Sequence, residues 1–390
     1  MRILIHALAA KMGGASTYIR TLARELAQAG EHDYLFLVPE AQASAIRGLA
    51  PHIHVLPKDL DGQGLLRRLW FDQIELPRLL RRERIDVLYS TANFATFFCP
   101  CRQLLLVRNS LYFSLLYRER ILPHKSPRAR FAESLRRFLA RRSARTADFV
   151  ITPSKSMLYE LQSAVPLRSA QVNPYGVDRR RFSPVPAPRP FALQGVVRLV
   201  FTSLYAEHKN LGTLLRALPQ IPSQTNAKCF LITTCDPGRE KIHNPIRQAE
   251  RALALELQHL GLLELTGVLS GTALDQLYAQ ADIFVYPSVI ESFGHPLLEA
   301  MAAGLPVVAA DVPINRELCG EAAIYFSPFD DADCARQIAG LIGDAELRGE
   351  LAQRGLARAE QFQWSSHART LIQQFAGVPE IVAEPVESHA

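Results

Sequence analysis

The segment from residue 281 to residue 310 constrains the fold more than any other part of the chain. An apolar, β-rich run at 281–286 predicts a buried strand. Pro296 then suits the first turn of a helix, which Gly304 ends before a second apolar run at 305–310. Strand, loop, helix and parallel strand in this order predict an α/β fold, in which ligands bind at the carboxyl ends of the strands.

The loop between this strand and helix carries the candidate chemistry. Its backbone N–H groups lie at a predicted helix N-terminus, which suits an anion, and a glycine lets a ligand approach closely. The candidate binding residues are Ser292, Phe293, Gly294 and His295. Two carboxylates, Glu291 and Glu299, flank them and can accept bonds from hydroxyl groups. Phosphate and hydroxyl recognition together indicate a ligand such as a nucleotide sugar. From these residues alone, an exposed loop with two solvated glutamates stays an alternative.

Residues 287–308 follow the pattern P-S-x-x-E-S-F-G-x-P-x-x-E-A-M-A-x-G-x-P-V-V. This pattern resembles that of glycosyltransferase family 4, and the resemblance extends over nearly the whole chain. It implies a retaining, nucleotide-sugar-dependent enzyme of the GT-B fold, an α/β architecture of two doubly wound Rossmann-like domains facing each other across a cleft. It also implies that Glu291 contacts the donor sugar in catalysis and that Glu299 holds the ribose hydroxyls.

The chain of 390 residues is long enough for two domains with their own cores. A segment at 172–184 resembles the family pattern N-x-x-G-V-D-x-x-x-F-x-P, which closes the first domain, and four prolines follow within 183–190. The predicted organisation is an acceptor-binding domain at 1–182, a linker at 183–190, a nucleotide-sugar-binding domain at 191–363, a helix at about 364–377 that packs back on the first domain, and a disordered tail at 378–390.

Other candidate site residues depend on the resemblance. Gly13 and Gly14 lie in a predicted loop between the first strand and helix, where the family faces the donor phosphates. Lys209 precedes a helix and is implied to hold those phosphates, whereas the backbone at Gly267 is implied to contact the base. The nucleoside diphosphate sugar, carrying UDP, GDP or ADP, is expected as a substrate, with no resident cofactor.

Two positions depart from the family pattern. Leu204 stands where the family has an arginine, and Arg108 with Asn109 stands where many members have a His-Asp pair. Arg108 suits an anionic group on the donor or acceptor and is kept as a candidate catalytic residue. Either Arg108 or His208 replaces the missing cation, or phosphate binding rests on Lys209 and the dipole of the helix that follows it.

The net charge of +6 is concentrated in a basic stretch at 118–145, where phenylalanines and leucines recur at helical spacing among the arginines. This stretch has three interpretations. It forms the solvated face of a helix packed on the core, it meets an anionic membrane surface, or it binds nucleic acid. Membrane contact fits the family, in which acceptors are often lipid-linked saccharides, and no nucleic-acid motif accompanies the charge. Nucleic acid is therefore not expected as a partner.

Metal binding and disulfides are not expected. Asp59 with Asp61 and Asp331 with Asp333 fit a D-x-D pattern, but the first pair lies in a loop and the second is predicted to cap the helix at 334–342. The six cysteines are scattered, which indicates a reduced, cytoplasmic protein. No apolar run is long enough to span a bilayer, so peripheral attachment to the inner face of the membrane is the expected form of any membrane contact.

The sequence therefore predicts transfer of a sugar to a hydroxyl of a saccharide or lipid-linked acceptor, in cell-surface polysaccharide or glycolipid assembly. Two alternatives stay open, a nucleotide-sugar epimerase of the same fold and a non-catalytic nucleotide-sugar-binding partner. The base, the sugar, the acceptor and the oligomeric state do not follow from the sequence.

Overall fold

The computed structural model describes residues 1–11, 13–60, 64–182, 195–225, 227–238 and 244–377. The predicted linker at 183–190, the predicted tail at 378–390 and Asp61 lie outside these residues. Contacts divide the chain into two compact units. Unit 1 comprises Met1–Asn109, Leu135–Gly176 and the chain from Trp364 onward, and unit 2 comprises Ser110–Ser134 and Val177–Gln363. The predicted domain boundaries stay predictions.

The described residues contain strands in two groups. Those of unit 1 are β1 (Arg2–His6), β2 (Asp33–Val38), β3 (Ile53–Pro57), β4 (Val87–Ser90), β5 (Arg102–Leu106), β6 (Phe149–Thr152) and β7 (Ala170–Val172). Those of unit 2 are β8 (Val196–Phe201), β9 (Lys228–Thr233), β10 (Leu263–Leu265), β11 (Ile283–Tyr286), β12 (Val307–Ala310) and β13 (Ala323–Phe326).

The α-helices of the described residues, in chain order, are α1 (Gly13–Ala29), α2 (Glu40–Ala43), α3 (Gly64–Trp70), α4 (Leu76–Arg82), α5 (Pro127–Thr146), α6 (Lys155–Ala164), α7 (Leu211–Ala217), α8 (Pro245–His259), α9 (Gly271–Gln280), α10 (His295–Ala302), α11 (Pro313–Cys319), α12 (Asp331–Gly343), α13 (Ala345–Glu360) and α14 (Trp364–Ala376). Among the described residues, none of the helices is both long and apolar enough to cross a membrane.

Both sheets are parallel throughout their described pairings. The sheet of unit 1 has the order β3-β2-β1-β4-β5-β6-β7, and that of unit 2 has the order β10-β9-β8-β11-β12-β13. Each sheet therefore extends in both directions from a first strand at its centre, β1 or β8, which is the doubly wound topology. Two of the strands next to these centres, β4 and β11, are fully buried, as expected for parallel sheets covered on both faces.

Helix α14 packs on α1 inside unit 1. The Tyr18 hydroxyl on α1 lies 3.1 Å from Nε2 of His367 on α14 and 2.6 Å from the hydroxyl of Tyr89 on β4. Tyr175 stacks on Trp364 with ring centroids 5.9 Å apart. Because these aromatic side chains are buried, they attach the last helix to the first one by packing as well as by hydrogen bonds.

The segment that constrains the fold forms β11, α10 and β12, in agreement with the prediction. The strand begins at Ile283, and the side chain of Asp282 just before it accepts a hydrogen bond from the backbone N–H of Arg198, at 2.7 Å. Gly294 precedes α10 with a φ of +100°, and a Cβ on it would lie 3.1 Å from Cδ1 of Leu318. A glycine is therefore required here both by the backbone conformation and by space.

Two local predictions were wrong. Gly13 and Gly14 do not extend a loop to Thr17, because α1 begins at Gly13, whose φ is +61°. Asp331 and Asp333 do not precede their helix. They lie in the first turn of α12, and the side chain of Asp330 caps it by accepting the N–H of Asp333 at 2.9 Å. The aspartate nearest the helix start takes the capping position, which moves the helix start three residues earlier than predicted.

Candidate functional site

The Glu291 carboxylate is the centre of a hydrogen-bond network at the carboxyl end of β11. Its Oε1 atom lies 2.5 Å from Nζ of Lys209 and accepts hydrogen bonds from the hydroxyls of Tyr286 and Ser288, each at 2.6 Å. The side chains of Lys209 and Glu291 are 15% and 13% exposed. Glu291 is thus held by partners, and the alternative of a solvated glutamate does not hold.

The charge of Lys209 decides the ionisation of Glu291. Burial alone would raise the pKa of this carboxyl, but the charge and the hydrogen bond of Lys209, with the hydrogen bond from Ser288, lower the pKa to about 2. Burial, and then the charge of Lys209, lower the pKa of the neighbouring His208 to about 3. At neutral pH the carboxyl of Glu291 is therefore ionised beside Lys209, and the imidazole of His208 is neutral.

Backbone contacts fix the two loops that carry this pair. The N–H of Val289 donates to the carbonyl of His208 at 3.0 Å, and the side-chain amide of Asn210 donates to the carbonyl of Pro287 at 3.2 Å. Asn315 on α11 donates to the carbonyls of Ser288 and Ala310 at 3.2 and 2.9 Å. The loop after β8 and the loop after β11 thus form one structure at adjacent strand ends.

The second glutamate, Glu299 on α10, is held on both oxygens. Its Oε1 atom lies 3.0 Å from Nη1 of Arg181, and its Oε2 atom accepts from the hydroxyl of Tyr278 at 3.1 Å. Burial raises the pKa of Glu299, and the charge of Arg181 opposes this effect. Arg181 is shared with Asp275 on α9, at 2.6 Å. Both glutamates are therefore fixed in position, and each has its own cationic partner, Lys209 for Glu291 and Arg181 for Glu299.

The helix after Lys209 does not offer a free N-terminus. The N–H of Gly212 in the first turn of α7 donates to Oε1 of Glu250 at 2.7 Å, and Tyr205 donates to the other oxygen of the same carboxylate at 2.5 Å. A carboxylate thus already accepts one N–H group at this end of the helix, and the contribution of the helix dipole to phosphate binding stays a prediction. The sequence did not indicate this contact, because Glu250 lies on α8, 38 residues away in sequence.

His208 does not replace the cation that the family has at position 204, because its imidazole is neutral at neutral pH. Leu204 itself is 56% exposed. Within unit 2, however, the turn at 117–121 packs against the turn at 207–209. Lys125 lies beside these turns, with Nζ 5.2 Å from the ring centroid of Tyr117. Burial would lower the pKa of Lys125, but Tyr117 and the charge of Glu207 raise it, which keeps the ammonium charged.

The remaining predicted residues of unit 2 lie at the same sheet edge. Gly267 follows β10 with a φ of +65°. Ser292 and Gly294 lie between β11 and α10, and His295 begins that helix, with its ring 5.2 Å from the ring of Phe293. Because β8, β10 and β11 are parallel, their carboxyl ends, and the loops after them, meet at one edge of the sheet.

The predicted residues of unit 1 gather at the edge of its own sheet. Arg108 follows β5, and its guanidinium lies 5.9 Å from the ring centroid of Tyr18. The side-chain oxygen of Asn93 accepts the backbone N–H groups of Arg108 and Asn109, at 2.7 and 3.0 Å. Asn93 thus has a structural role in shaping the turn that carries Arg108. A Cβ on Gly14 would meet nothing within 4 Å.

Sequence reasoning missed several partners of the two glutamates. These are Arg181, Tyr278, Tyr286 and Ser288, and Asp275 in turn binds Arg181. Ser288 and Tyr286 lie within five residues of Glu291, so their proximity could have been used. Arg181 lies 118 residues before Glu299, and only its position inside the family-like segment at 172–184 gave a signal.

The architecture agrees with solved structures of similar proteins. Sucrose-phosphate synthase from Thermosynechococcus elongatus superposes with a TM-score of 0.75 at 18% identity, over 97% of this chain and 99% of that one. HepE from Anabaena, solved with UDP and glucose, superposes with a TM-score of 0.70 at 20% identity, over 97% and 100%. These neighbours establish the fold, so the chain is a GT-B protein, as predicted.

Family models match both parts of the sequence. Residues 12–181 match the model described as Glycosyltransferase Family 4, and residues 195–358 match the model described as Glycosyl transferases group 1. The chain therefore belongs to the family 4 type of glycosyltransferases. O-antigen chain mannosyltransferase B of Escherichia coli is 33% identical over 160 residues, which is 40% of each protein. The matched region spans 40% of that mannosyltransferase. It spans 20% of each of two further relatives, the sulfoquinovosyl transferase SQD2 of Arabidopsis thaliana and the mannosyltransferase WbdA of Escherichia coli.

Proposed function

We propose that this protein is a glycosyltransferase that moves a sugar from a nucleoside diphosphate sugar to a hydroxyl group of a saccharide or lipid-linked acceptor. The observation that carries this proposal is the pair of fixed glutamates, Glu291 and Glu299, at the carboxyl edge of the unit 2 sheet. The family models and the similarity to an O-antigen mannosyltransferase support a role in cell-surface polysaccharide or glycolipid assembly. The comparisons give no support to the epimerase alternative.

The chemistry of transfer requires that the departing diphosphate be stabilised as it gains negative charge. In this proposal Lys209 and the first turn of α10 provide that stabilisation, because a fixed ammonium and a helix N-terminus are preorganised for an anion. Lys125 is proposed to add a second positive charge, in the role of the arginine that the family has at position 204. Since protein groups supply this charge, we propose that neither a metal ion nor a resident cofactor takes part.

The two glutamates have different proposed roles. Glu291 is ionised and uses Oε1 for its protein partners, so Oε2 is proposed to accept a hydrogen bond from a hydroxyl of the donor sugar. Glu299 is proposed to accept from the ribose hydroxyls, with Arg181 and Tyr278 fixing its orientation. The family resemblance supports retention at the anomeric carbon, with a donor phosphate oxygen taking the acceptor proton. The backbone near Gly267 is proposed to contact the base.

The proposed roles in unit 1 concern the acceptor. Arg108 projects beside a buried tyrosine cluster, and a guanidinium there suits an anionic group on the acceptor or the donor. Gly13 and Gly14 begin α1 at the carboxyl edge of this sheet and are proposed to allow close approach of a ligand to the backbone.

Turnover with a panel of nucleotide sugars tests the proposed activity. Purified protein is incubated with UDP-, GDP- and ADP-sugars, with membrane lipid extract as the acceptor source and with EDTA present or absent. We expect release of one nucleoside diphosphate that requires extract and is unaffected by EDTA, with a product that keeps the donor's anomeric configuration by NMR. Isomerisation of the donor without an acceptor would support the epimerase, and binding without release would support the non-catalytic alternative.

The structure favours membrane contact for part of the basic stretch. On α5, Phe131 and Phe138 are 73% and 62% exposed, while Ala140, Ser143 and Ala144 are buried. Helical spacing showed that the two rings share a face but not which face is buried. We propose that α5 lies on an anionic membrane surface at the cytoplasmic side, with the phenylalanines inserted between arginines such as Arg142 and Arg145.

Vesicle binding tests this contact. Burial of one phenylalanine side chain in lipid contributes about 1.5–3 kcal/mol, so Phe138→Ser is expected to weaken binding to phosphatidylglycerol vesicles by about tenfold or more. Co-sedimentation measures the affinity, and Tyr159→Ser is the matched control, since Tyr159 is a 71% exposed aromatic residue on α6. Equal binding to neutral phosphatidylcholine vesicles, or no loss in Phe138→Ser, would contradict the proposal.

A further inference from the structure

The two sulfur atoms of the Cys99-Pro100-Cys101 segment lie close together in unit 1. Their Sγ atoms are 3.7 Å apart, and both residues are half-buried against the core cluster beneath β1 and β4. The other four cysteines, Cys229, Cys235, Cys319 and Cys334, are buried. From the sequence, all six cysteines were expected to be scattered and reduced.

Hydrogen bonds hold the loop before this pair. The N–H of Thr96 donates to Oε1 of Gln103 at 2.7 Å, and Nε2 of Gln103 donates back to the carbonyl of Thr96 at 3.0 Å. The N–H of Phe97 donates to Oε1 of Gln73 at 2.8 Å. Strand β5 begins at Arg102. The two cysteines therefore lie between the held backbone at 96–97 and the start of this strand, which are only a few residues apart. Their sulfur atoms are therefore preorganised to react with each other.

The two thiols differ in acidity. The hydrogen bond between them lowers the pKa of Cys99 and raises the pKa of Cys101. Cys99 thus has the greater thiolate character, and the thiolate is the form that attacks a disulfide. In contrast to Cys99, the buried cysteines have raised pKa values, because burial raises the pKa to about 11 in Cys229 and to about 12 in Cys319.

We propose that Cys99 and Cys101 form a redox-reactive dithiol site that exchanges with low-molecular-weight disulfides such as oxidised glutathione. The Cys99 thiolate attacks one sulfur of the small disulfide, breaks its S–S bond and releases one small thiolate. The Cys101 thiol then loses its proton and attacks Sγ of Cys99, which forms the protein disulfide and releases the second small thiolate. Two protein thiols are oxidised, and one small disulfide is reduced to two thiols that take up the two protons.

Thiol mapping of the folded, full-length protein tests the proposal. The protein is equilibrated in glutathione buffers of increasing oxidised fraction, quenched with an alkylating reagent, and analysed by intact mass and peptide mapping. We expect loss of two hydrogen atoms from the protein, a disulfide between Cys99 and Cys101, and alkylation of Cys229, Cys235, Cys319 and Cys334 only after denaturation. Reduction with excess thiol is expected to reverse the change.

Two variants separate the roles of the sulfur atoms. Cys101→Ser is expected to stop at a glutathione adduct on Cys99, because the resolving thiol is missing. Cys99→Ser is expected to form neither the disulfide nor an adduct on Cys101 at the same oxidised fraction. Cys319→Ser is the matched control and should behave as wild type, with circular dichroism showing that each variant is folded. If both thiols stay reduced at every glutathione ratio, or if a buried cysteine reacts as readily, the proposal is wrong.

Discussion

Glu291→Gln is expected to reduce turnover by about a hundredfold or more, as does removal of one transition-state contact in other enzymes. The substitution preserves the shape of the side chain but removes the negative charge that Lys209, Tyr286 and Ser288 surround. Lys209, which is proposed to lie beside the donor diphosphate, would then lose its charged partner, and the sugar hydroxyl proposed to bind Glu291 would lose a charged acceptor. Steady-state kinetics at saturating donor measures the effect on kcat.

Glu321→Gln is the matched control, because Glu321 is exposed on the surface of the same unit and lies outside the site. Its turnover should equal that of wild type. Thermal unfolding of both variants distinguishes a chemical effect from loss of structure. A Glu291→Gln protein that is folded and turns over within about twofold of wild type would exclude the sugar-contacting role of Glu291.

Lys209→Met is expected to lower the free energy of unfolding by about 3–5 kcal/mol at neutral pH, because breaking a buried ion pair on one side leaves the other charge uncompensated. The two side chains are 15% and 13% exposed, so water screens little of this penalty. Methionine keeps most of the length and apolar volume of the lysine side chain. The change in stability therefore reports on the ion pair and not on a cavity.

The pH dependence of this effect has a defined sign. In the wild type the pKa of Glu291 is lowered from 4.5 to about 2, so its contribution to stability is complete above pH 4.5 and is lost as the pH falls toward 2. Without Lys209, burial raises the pKa of Glu291, and the variant loses stability as the pH rises through 4.5. The difference between the two proteins should therefore be largest at neutral pH and shrink below pH 4.5.

Urea unfolding at several pH values measures this difference. Lys228→Met is a suitable control, since Lys228 is exposed at the start of β9 and its removal should cost little at any pH. A Lys209→Met deficit that stays constant from pH 7 to pH 3.5 would show that the lysine stabilises the fold by packing alone.

The local parts of the site could be predicted from the sequence because a short segment determines them. Pro296 and the apolar spacing place α10, and Gly294 satisfies a left-handed backbone, so strand, loop and helix follow from neighbouring residues. The two glutamates lie on this segment, and their position at the sheet edge follows from the parallel topology.

The long-range parts of the site could not be predicted in the same way. Lys209 and Glu291 are 82 residues apart, and Arg181 and Glu299 are 118 residues apart, so only the folded sheet brings them together. Glu250 caps α7 from another helix, which no pattern near Lys209 indicates. The exposure of Phe131 and Phe138 on α5 could not be predicted for a related reason, because helical spacing defines a face but burial depends on what packs against it.

The most direct test of the central claim is calorimetric titration of the purified protein with UDP, GDP and ADP, each with and without EDTA, alongside Glu299→Gln. We predict that one nucleotide binds clearly, that EDTA does not change its affinity, and that Glu299→Gln weakens it because a ribose hydroxyl loses its charged acceptor. No binding of any of the three nucleotides to the folded wild type would contradict a nucleotide-sugar site in unit 2.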